Sequence, residues 1–225
     1  MATIQRAQTL NQGEFSRLIK ITQATSRYFQ RDILVLMLTH HCGLRVTEVS
    51  RITVADVMQP SGKLRVEVSL RADVTKGCRQ RCTYLATKPL IAALETYLAY
   101  RIERKIGTDL YGKTHRGLLP NQPLIYSSRG AGLSQNSKRR VLDSGVEKIY
   151  KCCDSLQSHL TRLYQKAGTK GSSHSGRRTF ASKVLASTGD MDTVATLLGH
   201  SDISCSARYV DLSTITLQDM FASAI

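Results

Sequence analysis

Residues 172–213 read SSHSGRRTFASKVLASTGDMDTVATLLGHSDISCSARYVDLS, and the rest of the chain is interpreted around them. The segment holds His174 with Arg177 three residues on, a Gly-His pair ending at His200, and a single tyrosine, Tyr209. Phe180, Ala181, Val184 and Leu185 recur at helical spacing and predict a helix over Gly176–Ser187. Arg177 and Arg178 fall in its first turn, where cations oppose the helix dipole and an anion would offset the cost. Asp190 is placed to cap a second helix, Met191–Leu198, which Gly199 ends.

Outside this segment, composition narrows the class of partner. The chain has 225 residues, a net charge of +15 and 41% hydrophobic residues, enough apolar material for a core. A chain this basic is built to meet a polyanion, with nucleic acid the leading candidate. Six scattered cysteines form no disulfide framework, and reduced thiols fit a cytoplasmic, nucleoid-associated protein. Cys78 and Cys82 complete no zinc motif. His40, His41 and Cys42 are adjacent, so on a helix they point about 100° apart; no metal site and no cofactor is expected. No apolar run spans a membrane, and the N-terminus lacks an apolar signal core.

In chain order, residues 1–10 are polar and read as an N-terminal arm. Asn11 and Glu14 start a helix through Phe15, Leu18 and Ile19, and Gln30–Cys42 forms a buried helix stopped by Gly43. Arg45 follows that turn, with Glu48 three residues on and able to orient it. Leu64, Val66, Val68 and Leu70 alternate with polar residues and predict a strand over Lys63–Leu70 with those four on one face. A second strand over Arg79–Ala86 completes a small sheet that presents Lys76 near a hairpin tip, with Arg71, Arg79 and Arg81 along a basic edge. Lys88–Lys105 predicts an amphipathic helix, and Val141–Cys152 and Gln157–Ala167 two more. The sum is an α+β domain, mostly α-helical with a small antiparallel sheet, over residues 11–225.

Together GLRVTEVSRI, TKG, HSGRRTFAS, LLGHSDIS and ARYVDLS resemble, in order and spacing, the boxes of the tyrosine recombinases, the phage integrase family. The resemblance implies the catalytic-domain fold and a site of Arg45, Lys76, His174, Arg177, His200 and Tyr209. Tyr209 is the implied nucleophile, forming a covalent 3′-phosphotyrosine, with His174 as general base and Lys76 as general acid. Arg45, Arg177 and His200 neutralise the phosphate, which needs neither ATP nor metal. Glu48 supports the cluster, and Arg71, Arg79, Arg81 and Arg178 are candidate contacts to DNA.

The implied partners are double-stranded DNA carrying a recombination site, accessory DNA-bending or host factors, and further copies of the chain in a homotetramer. Leu217, Met220, Phe221 and Ala224 fall on one helical face, and the family likeness implies that such a C-terminal helix is exchanged between protomers. Arg45 stands too near the start for the family's N-terminal core-binding domain, so a short form is expected, catalytic domain alone, similar to the fimbrial phase-variation invertases. The stretch near 135–155 reads as an insertion. A type IB topoisomerase-like strand transferase and a non-catalytic DNA-binding accessory protein are the alternative readings.

Overall fold

Asn11 shows how local chemistry starts this fold. Its side-chain oxygen accepts from the Glu14 amide at 2.9 Å, and the Glu14 carboxylate accepts from the Asn11 amide at 2.8 Å. This capping box opens α1, Gln12–Thr25. The computed structural model describes residues 8–72, 74, 80–109, 111–141 and 147–199. Lys76, Arg79, His200, Tyr209 and the tail residues Leu217, Met220, Phe221 and Ala224 lie outside them. Leu10, assigned from sequence to a polar arm, is buried, and its amide donates to Thr179 Oγ1 at 3.0 Å.

Helix α2, Phe29–His41, is buried almost all round, as its apolar run predicts. It packs against α1, against α5, Lys88–Glu103, and against α7, Ser175–Thr188. Short helices α3, Val46–Val49, and α4, Val54–Val57, follow it. Strands β1, Glu67–Leu70, and β2, Arg81–Tyr84, pair antiparallel, with Ser69 opposite Cys82. The expected four-residue apolar face holds only in part. Val68 and Leu70 are buried, but Val66 is 65% exposed. Residues 64 and 65 pair back on the end of α4, through a Met58–Leu64 bridge and a bond from the Arg65 amide to the Val57 carbonyl, whereas the Val66 carbonyl already accepts from the Leu85 amide beyond β2.

A second departure is larger. Val141–Cys152, read as a helix, belongs to an antiparallel hairpin of β3, Asn136–Val141, and β4, Glu147–Cys152. Asp143-Ser144-Gly145 is the turn signal between the strands. Helix α6, Asp154–Lys166, follows, then α7 and α8, Met191–Leu198. Asp190 caps α8 by accepting from the Asp192 and Thr193 amides, both at 2.9 Å.

Two contacts set the position of α7 on α2. Gly176 in its first turn lies so close that an added Cβ would meet Thr39 Cβ at 2.7 Å and His40 Cδ2 at 2.9 Å. Gly176→Ala is therefore expected to lose about 1–3 kcal/mol of stability in denaturant unfolding, because helix backbones rather than a flexible side chain must move.

Beside it, His40 is buried against Phe15, with ring centroids 4.2 Å apart, and shares a 2.8 Å hydrogen bond with the Tyr164 hydroxyl. Burial, with smaller contributions from His41 and Lys183, lowers its pKa from 6.5 to about 3. A histidine with a depressed folded pKa lends stability above its unfolded pKa, and that stability is lost as pH falls. Unfolding in urea at pH 7 and pH 5 should show a loss of about 2 kcal/mol, and His40→Gln should flatten the difference.

Candidate active site

The site is assembled around one carboxylate. Glu48 belongs to α3, whose N-cap is Arg45, and its side chain is fully buried. The Arg45 amide donates to Glu48 Oε2 at 2.7 Å, and Arg45 Nη1 donates to Oε1 at 2.8 Å. Arg81 reaches the same carboxylate from β2, with Nη2 2.7 Å from Oε2, and Arg177 from α7, with Nη1 4.0 Å from Oε2. Burial alone would raise the Glu48 pKa. Arg81, Arg177 and Arg45 oppose it and hold the carboxyl below its ordinary value. Glu48 thus supplies an internal counter-charge to the Arg177 side chain.

The guanidiniums are held by carbonyls as well. Arg177 Nη1 donates to the Gly43 carbonyl, and its Nη2 to the Leu198 carbonyl at 2.6 Å. Arg81 Nη1 donates to the Leu197 carbonyl at 2.8 Å. Two cations therefore cap the C-terminal end of α8, where the helix dipole favours them. Gly199 follows with φ 64°, and a Cβ there would run into the Arg81 side chain. The last turn of α8 is thus held directly against Arg177.

Of the expected site residues, Arg45, Glu48 and Arg177 converge. Arg45 retains 18% side-chain exposure, whereas Arg177 is 1% exposed. His174 is exposed at the N-cap of α7, its amide 3.4 Å from Ser172 Oγ. Arg71 stays on the surface, 3.4 Å from Asp56. Two expected surface cations are not there. Arg81 is buried because it shares the inward face of β2 with Thr83, and the Glu48 carboxylate compensates its charge. Arg178 is buried because the whole first turn of α7, from Ser175 to Thr179, is embedded. The part played by Arg81 was missed in the sequence. The period of two through Arg81, Thr83 and Leu85, all buried, is the signal that could have found it.

Among the described residues no group of His, Cys, Asp and Glu is arranged to hold a metal ion. Among them, too, no helix is long and apolar enough to cross a membrane.

This arrangement of helices and small antiparallel sheet is the catalytic-domain fold of the tyrosine recombinases. The backbone matches the crystal structure of XerA recombinase with a TM-score of 0.69 at 21% identity, over 100% of this chain and 66% of that one. It matches XerH bound to palindromic difH substrate in a post-cleavage complex with a TM-score of 0.65 at 18% identity, over 98% and 54%. The chain belongs to the phage integrase family, whose model matches residues 8–214. Tyrosine recombinase XerC of Myxococcus xanthus is 30% identical over 194 residues, covering 86% of this chain and 54% of that protein. XerC of Pelobacter propionicus is 25% identical over 215 residues, covering 96% and 59%. The chain thus spans little more than half the length of these curated relatives.

Proposed function

We propose that this protein is a site-specific DNA recombinase that breaks and rejoins DNA through a covalent 3′-phosphotyrosine at Tyr209. The observation that carries the reading is the convergence of Arg45 and Arg177, distant in sequence, on the single carboxylate of Glu48. Guanidiniums held that way are preorganised for one phosphate, on which negative charge builds in the transition state. Family membership and the surviving Tyr209 support the rest.

In this reading Tyr209 attacks the phosphorus in line. The bond to the 5′-oxygen breaks, His174 takes the phenolic proton, and Lys76 protonates the departing 5′-oxygen. Arg45, Arg177 and His200 neutralise the non-bridging oxygens. Attack by a 5′-hydroxyl from another strand reverses the chemistry and releases Tyr209. The bond energy is kept in the phosphotyrosine, so no nucleotide is consumed. Strand exchange between two duplexes calls for a homotetramer on DNA, with exchange of the C-terminal helix as its link and accessory DNA-bending or host proteins as further partners.

A mixed-sequence pool of nicked suicide duplexes tests this. Cleavage near the nick releases a short oligonucleotide and traps the intermediate. The expected product is a denaturation-resistant protein–DNA adduct, enriched for one sequence and mapped by peptide mass spectrometry to Tyr209. No adduct, or linkage to another residue, would overturn the proposal. Relaxation of supercoiled plasmid regardless of sequence would favour a topoisomerase instead.

A further inference from the structure

Among the described residues, the β3–β4 hairpin is a large feature that the proposed chemistry leaves unused. It makes its main contacts within itself, and a two-stranded hairpin is at best marginally stable alone in water. Residues 136–152 carry Lys138, Arg139, Arg140, Lys148 and Lys151 against Asp143 and Glu147, a net charge of +3.

Its two faces differ. In the register, Asn136 opposes Cys152 and Lys138 opposes Tyr150. On that face Asn136 Nδ2 and Lys138 Nζ bond to Asp154 at 3.0 and 2.7 Å, which ties it to the start of α6. The other face pairs Ser137 with Lys151, Arg139 with Ile149 and Val141 with Glu147. Every one of these is exposed, Arg139 by 76% of its side chain, Ile149 by 63% and Val141 by 60%. Arg139 has Glu147 at 4.0 Å, a separation that leaves the pair weak at such exposure.

The root of the hairpin locates it. Gln135 Nε2 donates to Ser50 Oγ at 2.9 Å, and Ser50 is the C-cap of α3, the helix that carries Glu48 and begins at Arg45. The root of the hairpin is therefore tied to the helix that carries the proposed phosphate-binding cluster. A strand of six residues reaches about 20 Å, a length over which a duplex presents about twelve phosphates.

We infer that the outward face of the β3–β4 hairpin is a DNA-backbone clamp, with Arg139 and Lys151 contacting phosphates that flank the cleaved one. The inference rests on the proposed action on DNA. Charge selects the occupant: a second copy of this chain brings +15 of the same sign, whereas duplex DNA brings the opposite one. Contacts of this kind carry no sequence information, so their loss weakens binding to all sequences alike.

The test measures binding of the full chain to mixed-sequence duplex DNA across a range of salt. Each phosphate contact contributes about 0.9 to the slope of log K against log salt. Arg139→Gln combined with Lys151→Gln should reduce the slope by about 1.8 and leave the melting temperature unchanged, since both side chains are exposed. Glu147→Gln should tighten binding, a gain that a purely structural hairpin would not give. An unchanged slope in the double variant, against a salt-dependent wild type, would overturn the clamp alone. A loss confined to one DNA sequence would replace it with base reading. A wild type without salt-dependent DNA binding would sink both the clamp and the recombinase reading.

Discussion

Glu48→Ala is expected to destabilise the protein by about 3–5 kcal/mol, the scale on which removal of one partner from a buried ion pair acts. The carboxylate is fully buried, and three guanidiniums are arranged on it. Without it, Arg45, Arg81 and Arg177 repel one another where water screens them poorly. For a domain with a total stability of about 5–15 kcal/mol, that loss is a large fraction. Denaturant unfolding at pH 7 measures it. Glu48→Gln retains the shape and one acceptor oxygen, so it should lose less stability yet still lose cleavage, since the arginines are no longer held by charge. A Glu48→Ala protein within about 1 kcal/mol of wild type would show that the cations relax into solvent, and the idea of a rigid cluster would fail.

For Arg177→Lys, cleavage in the suicide assay is expected to slow by about 100- to 1,000-fold, the scale on which removal of one preorganised donor acts. Arg177 joins the Gly43 carbonyl, the Leu198 carbonyl and the neighbourhood of Glu48 with one planar group. A lysine offers a point charge in place of the fork and cannot span both carbonyls while facing a phosphate. Affinity for duplex DNA should fall by at most about tenfold, because many other cations contribute to it. The split between rate and affinity is the informative result. Equal losses in both would make Arg177 a DNA anchor and would remove it from the proposed chemistry.

What could be read in the sequence was what depends on near neighbours. The capping box at Asn11 and Glu14, the Asp190 cap with Gly199, and the pairing of Arg45 with Glu48 all span a few residues, and all appear in the fold. The apolar run of α2 was legible because it is buried all round. Arg81 was not, since a buried cation on a strand looks like an exposed one until its distant carboxylate is known. The same limit hid Arg101, which ends the stripe Leu90, Leu94 and Leu98 and is fully buried, donating to the Pro123 and Leu124 carbonyls over the Tyr126 ring. The hairpin was missed for another reason. Lys138-Arg139-Arg140 has no apolar alternation, so β3 carries no periodic signal, and only the turn-forming residue types of Asp143-Ser144-Gly145 spoke against a helix.

The bond from Arg177 to the Leu198 carbonyl has a geometric consequence for which phosphate the proposed nucleophile can serve. It fixes the point from which the chain leaves Gly199, and nine residues separate Gly199 from Tyr209. Fully extended, that tether spans at most about 35 Å. On the proposed chemistry, any phosphate that Tyr209 attacks therefore lies within that radius of Gly199, in its own protomer's arginine cluster or in one held as close.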